Sequence, residues 1–149
     1  MIGLIACSAR KRSTAAPARA LYNSPLFQKS LAYTEARCEH VYILSALHHL
    51  VPLEQFLAPY DRRLGTTKRE RRIWGLITTT MLKAQHGRTS HDLLILAGQD
   101  YVDAMTQHIA SWWPESTWRA HVHLPLEGLQ VGERLRWLNA QLLPAPEVL

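Results

Sequence analysis

Cysteine is scarce in this chain: Cys7 and Cys38 are the only two. There is no CxxC pair and no Cys/His cluster at zinc spacing. A disulfide framework is thereby excluded, and a reduced, cytoplasmic setting is the expected one. Long apolar runs are lacking too. No stretch approaches the roughly 20 apolar residues that a membrane span requires. The opening run Met1–Cys7 is short, and its charges follow it, unlike those of a secretory signal. No membrane partner is therefore expected. Glycine is absent from residues 8–24, so the segment after that run is neither a Walker A loop nor a GxGxxG fingerprint. Lysine is also rare, with 4 against 13 arginines among the 17 basic residues.

What is present is a globular composition. The 149 residues are 47% hydrophobic and 19% charged, which points to one domain, residues 1–149, able to bury a core without staples. The net charge is +5 and the pI about 9.6. A basic balance built on arginine suits planar, bidentate phosphate contacts. Many small basic proteins nonetheless bind nothing specific.

The spacing predicts alternating strands and helices. Met1–Cys7 reads as a strand buried on both faces. Ser24 caps a helix with Pro25 at its first position, ending near Arg37. Val41–Ala46 is a second buried strand. The stretch from Leu47 to Gly65, broken by Pro52 and Pro59, reads as a loop with a turn or two of helix. Thr67 and Glu70 form a capping box that opens a helix to Gln85, with Ile73, Ile77, Met81 and Ala84 on one face. Asp92–Gly98 is a third strand. Asp100 is the expected cap of the next helix, which Pro114 ends. Residues 119–126 alternate as a fourth, edge strand. A last helix from Val131 buries Val131, Leu135, Leu138 and Leu142, and a frayed tail follows. This order predicts an α/β fold: a single three-layer domain with a mostly parallel sheet of about four strands and helices on both faces. Ligands in such sheets bind beyond the carboxyl ends of the strands.

The segments that follow strand ends carry the candidate chemistry. The first holds Cys7, Ser8, Arg10, Lys11 and Arg12. Lys11 suits phosphate or, if desolvated, nucleophilic attack. A solvated basic loop behind a core cysteine explains the same residues. The second holds Ser45, His48, His49, Glu54, Tyr60 and Asp61, where histidine and carboxylate suit proton transfer. Adjacent histidines point apart on any regular element and no third ligand accompanies them, so neither a metal nor a cofactor is expected. The third holds Gly98, Asp100 and Tyr101. The helix start Lys68, Arg69, Arg71 and Arg72 puts cations at the positive end of a helix dipole, which hints at an anionic partner. A solvated charged face reads equally well.

Taken together, the segments "CSARK", "ALYNSPLF", "VYILSALHHLV", "PYDRRL", "AGQDY" and "LQVGERLRWL" resemble an uncharacterised bacterial and phage domain family allied to the YaaA peroxide-stress proteins. The resemblance runs over nearly the whole chain. It marks Cys7, Ser8 and Lys11 in the first motif, Tyr22 and Ser24 in the second, then Ser45, Tyr60 with Asp61, and Gly98 with Tyr101. The family's "SAKYGL" is "SALHHL" here, so Leu47 replaces a lysine and His48-His49 replace Tyr-Gly. Ala97 replaces one glycine of "GG..Y". The first two motifs are also similar to a lysine-containing segment of archaeosine synthases, which modify a 7-deazaguanine base in tRNA. Both likenesses imply nucleic-acid contact.

The expected function is thus that of an enzyme acting on a nucleobase or nucleotide, by base modification or glycosyl-type chemistry. Lys11, Asp61, Ser45 and His48 would be catalytic. Cys7, Ser8, Tyr22, Ser24, Tyr60, Gly98 and Tyr101 would bind substrate. Arg10, Arg12, Lys68, Arg69, Arg71 and Arg72 would contact nucleic acid. This reading requires Cys7, Lys11, Ser24, Ser45, Asp61 and Tyr101 to converge. The competing expectation is a non-catalytic DNA-binding stress-response or phage accessory protein, or an adaptor that has lost activity.

Overall fold

A computed structural model describes residues 1–87 and 91–143. The expected frayed tail, residues 144–149, lies outside them. Five strands form the main sheet: β1 (Ile2–Ala6), β3 (His40–Ser45), β4 (His49–Pro52), β6 (Leu93–Leu96) and β7 (Val122–His123). Their spatial order is β4-β3-β1-β6-β7. β1 pairs in parallel with both β3 and β6, and β6 with β7, while β4 runs antiparallel to β3. The sheet is therefore mostly parallel, with one strand more than the expected four.

The extra strand comes from the stretch read as a loop with helical turns. β3 and β4 are joined by Ala46, Leu47 and His48, with Ser45 paired to His49. Such a three-residue hairpin ends on a left-handed residue, and His49 has φ 66°. Histidine is among the residues that tolerate this region. Leu50 and Val51 then bury on opposite faces, each joining a different apolar cluster. A short ribbon pairs β2 (Ala16–Pro17) with β5 (Phe56–Leu57), and α1 (Ala18–Leu21) follows β2.

Alternate residues of β1 feed two apolar clusters. Ile2 and Leu4 join Leu44, Ile95, Trp74, Leu82 and Met105. Ile5 joins Ile43, Leu94, Leu96, Phe27 and Leu138. The first cluster contains residues of α3 (Lys68–His86) and α4 (Gln99–Ile109), the second those of α2 (Pro25–Glu35) and α5 (Val131–Leu142). The caps of α2 and α3 fall where the sequence places them. Ser24 accepts from the Phe27 N–H at 3.1 Å and Thr67 from the Glu70 N–H at 3.1 Å.

Three helical expectations are corrected. The N-cap of α4 is Gly98, and Asp100 lies in its first turn, where an ion pair with Arg71 at 3.0 Å uses its carboxylate instead. On α3 the face bearing Ile73, Ile77, Met81 and Ala84 is exposed, and Trp74, Gly75, Thr78, Thr79 and Leu82 are buried. Gly75 sets that rotation, since a Cβ there would collide with the Ala104 carbonyl of α4. The Thr78 and Thr79 hydroxyls donate back to the Trp74 and Gly75 carbonyls at 2.8 and 2.7 Å, which leaves their methyls to pack. On α5, Val131 and Leu142 are exposed and only Leu138 is fully buried. That helix instead packs Trp137 edge-on against Tyr33 of α2, with ring centroids 5.0 Å apart.

Candidate functional site

β1 and β6 point their carboxyl ends at a cleft of about 530 Å³. Five basic side chains line it, Lys11, Arg62, Arg63, Arg71 and Arg134, against two acidic ones, Asp61 and Asp100. Cys7, Ser8, Gly98 and Tyr101 complete the wall nearest the sheet. The start of α4 opens into it at Gly98, with no side chain capping that helix. Arg71 is fixed by the Gly65 carbonyl at 2.8 Å and by Asp100. Arg134 is held by the Leu129 carbonyl at 2.8 Å. Arg62, Arg63 and Asp61 make no hydrogen bond or ion pair among the described residues.

The basic loop is pinned, not loose. Lys11 forms an isolated antiparallel bridge with Tyr22, and the Arg12 N–H donates to the Leu21 carbonyl at 2.8 Å. The Lys11 ammonium then lies 4.5 Å from the Tyr60 ring centroid and 5.6 Å from that of Tyr22. Behind it runs a chain of hydroxyls. Tyr60 shares hydrogen bonds with Tyr22 at 2.5 Å and with Ser45 at 2.6 Å. Ser45 accepts the His48 N–H at 3.0 Å, and its carbonyl accepts from the Trp74 indole at 2.9 Å. Cys7 Sγ sits 3.7 Å from the Tyr101 hydroxyl, and Trp74 meets the Tyr101 ring edge-on at 5.2 Å.

Burial, ahead of every other influence, raises the pKa of Tyr22, Tyr60 and Tyr101; for Tyr101 the nearby Cys7 adds to it. All three stay phenols at neutral pH and act as hydrogen-bonding groups. Burial also lowers the pKa of His49, with Trp74 opposing and His48 adding to the shift.

The structure brings Lys11, Asp61, Cys7, Ser8, Gly98, Tyr101 and Arg71 into one cleft, and Ser24 into a smaller cavity that shares a wall with it. Ser45, Tyr22 and Tyr60 form the layer behind Lys11. Tyr22 is 1% exposed, so it supports the site and has no face free for a ligand. His48 packs edge-on to the Tyr60 ring at 5.0 Å and does not line the cleft. Arg10, Arg12, Lys68, Arg69 and Arg72 lie outside it, and all five are exposed to solvent. Sequence reasoning missed Arg62, Arg63 and Arg134. Their signal was there, in the "RR" after "PYD" and the arginine of the last helix motif.

A cavity of about 550 Å³ beside β7 competes in size. Its cations are engaged, however: Arg119 pairs with Glu127 at 3.4 Å, and Arg37 stacks 3.6 Å from the Tyr33 ring. Arg62 and Arg63, unpartnered among the described residues, line the strand-end cleft and also a cavity of about 510 Å³ beside His49 and Trp74; the cleft alone of these two adds Lys11, Arg71 and Arg134.

Fold and site together define an α/β protein with an arginine-rich cleft at the carboxyl ends of its parallel strands. Over residues 2–140 the sequence matches a family described as one of unknown function, DUF6884, and the chain belongs to that family. No curated protein matches the sequence. Among the described residues, no helix is long and apolar enough to cross a membrane.

Proposed function

We propose that the protein acts on nucleotides, free or within nucleic acid, and that the strand-end cleft binds the phosphate beside a nucleobase that undergoes modification or glycosyl-type chemistry. The observation that carries this reading is the set of five cations around a cleft of about 530 Å³, two of them without a hydrogen bond or ion pair among the described residues. Phosphate neutralises such a set, and arginine forks bind it in bidentate fashion. Lys11 serves as an electrostatic stabiliser. Its ammonium lies over the rings of Tyr60 and Tyr22, a cation–π setting that suits a positioned positive charge. Asp61, unpartnered at the rim, moves the proton. The motif order supports a kinship with the YaaA proteins as part of the same proposal.

The test is mass analysis of nucleosides after incubation with single-stranded DNA, RNA and mixed nucleotides. The expected result is a base of altered mass or a released free base, lost in Lys11→Ala and Asp61→Asn. Unchanged masses on all substrates would overturn the enzymatic reading.

The second reading is a non-catalytic DNA-binding protein. The exposed Arg10, Arg12, Lys68, Arg69 and Arg72 outside the cleft favour it. It expects duplex binding that survives loss of Arg62 and Arg63.

A further inference from the structure

A second, smaller cavity of about 170 Å³ adjoins the cleft and shares Cys7, Ser8, Leu26, Gly98 and Arg134 with it. Its remaining walls are mainly apolar, from Phe27, Leu96 and Leu126, with Ser24 and Ser30 as polar exceptions. Ser30 is the telling residue. It is 4% exposed, its hydroxyl makes no hydrogen bond among the described residues, and it lines this cavity, where it is open to a ligand. Helical serines commonly satisfy themselves on the carbonyl four residues back, and this one does not. Ser24 gives its oxygen to the Phe27 N–H and keeps its own proton to donate.

We propose that this inner chamber takes the base of the nucleotide, one unpaired ring system, and that Ser30 reads its polar edge. The inference rests on the nucleotide reading of the outer cleft and deepens it. The chamber is smaller than the roughly 300–1,000 Å³ of sites for whole drug-sized ligands, so it admits one flat ring and not a base pair. Apolar walls with a few convergent polar groups suit a heterocycle. The cations lie outside, in the cleft, where a phosphate one sugar away reaches them. Arg134 stands at the junction and lines both spaces. The substrate class is therefore a mononucleotide or a single-stranded or flipped-out nucleotide, because a base stacked in duplex cannot enter.

The experiment is titration calorimetry with AMP, GMP, CMP and UMP, each against ribose 5-phosphate, on the full chain. At least one nucleotide is expected to bind tenfold or more tightly than ribose 5-phosphate. Ser30→Ala is expected to weaken that nucleotide about fivefold and Ser30→Leu, which fills the chamber, to bring it down to the level of ribose 5-phosphate. Neither should change the affinity for ribose 5-phosphate itself. If Ser30→Leu does not fold, Ser30→Ala alone decides. Nucleotides binding no tighter than ribose 5-phosphate, or unaffected by Ser30→Ala, would overturn the chamber and leave the outer cleft standing. No binding of any of the five compounds would overturn both.

Discussion

The two ends of the parallel strands carry different kinds of charge. At the carboxyl ends stand Lys11, Arg62, Arg63, Arg71 and Arg134. At the amino ends stand histidines. His40, His86 and His91 pack ring on ring with centroids 4.6 to 6.2 Å apart. Asp92 bridges His121 at 2.9 Å and His123 at 3.1 Å, while its carbonyl accepts the Ile2 N–H at 2.9 Å. The charged groups of that end engage one another, although the buried Thr34 hydroxyl beside Gly3 has no hydrogen-bond partner among the described residues. At the other end two arginines and a carboxylate make no hydrogen bond or ion pair among the described residues. One end pairs its charges; the other keeps surplus charge for something else to complete.

The sharpest way to break this contrast is to remove charge from each end in turn. Arg62→Ala with Arg63→Ala should weaken binding of a single-stranded oligonucleotide about 100-fold at low salt. The double change should also lower the slope of log affinity against log salt by about 1.4. His121→Gln with His123→Gln should leave both quantities unchanged in the same fluorescence titration. Equal losses from the two pairs would remove the distinction between the ends.

A second cut separates charge from its support. Tyr60→Phe keeps the ring under Lys11 but leaves the Tyr22 and Ser45 hydroxyls without their shared partner. Urea unfolding should show a loss of about 1–3 kcal/mol, with ribose 5-phosphate affinity held within about twofold, a change well under 1 kcal/mol. A large loss of affinity without a loss of stability would put Tyr60 in the ligand site itself.

Strand and helix periodicity made β1, β3, α2, α3 and α5 legible, because each is long and buries one face or two. β4 was hidden. Two prolines and a hairpin that turns on a left-handed histidine look like a loop when read residue by residue. The motif "SAKYGL" that the stretch resembles has a glycine at the position of His49, and the φ of 66° there is one that glycine adopts freely. The face of α3 was misread for a different reason. Threonines that satisfy their own hydroxyls can be core, and Gly75 draws α4 against them in preference to Ile73 and Ile77. For the site, the motif residues Cys7, Lys11, Asp61 and Tyr101 were legible. Ser30 was not, since a helical serine carries no signal until its neighbours are known.

His49 offers a smaller test. Its ring stacks on Trp74 at a centroid distance of 6.2 Å, while its backbone is strained. His49→Ala loses the ring and keeps the strain; His49→Gly loses the ring and relieves it. The glycine variant should be the more stable of the two by about 1 kcal/mol, measured by urea unfolding. The reverse order would mean that the turn is not strained.

The smallest effect expected is in pH, and it tests the amino end directly. Burial, then His40 and His91, lowers the pKa of His86, so the unfolded chain binds that proton more readily. Stability from this group is complete above the unfolded value of about 6.5 and declines as pH falls from there toward the lowered folded value. Asp92 acts in the same direction, in a more acidic window. His121, with help from His123, depresses its pKa, so its contribution is present above about 3.9 and is lost only as pH drops through the folded value. The thermal midpoint should therefore fall by about 2 °C from pH 7 to pH 5.5, and again in a separate step in stronger acid. His49, also lowered by burial, shares the first window. His86→Gln and His49→Ala should each remove part of the first step and leave the second, while Asp92→Asn should remove the second alone. A first step abolished by His49→Ala and untouched by His86→Gln would place the titrating group at the carboxyl end and reverse the assignment made above.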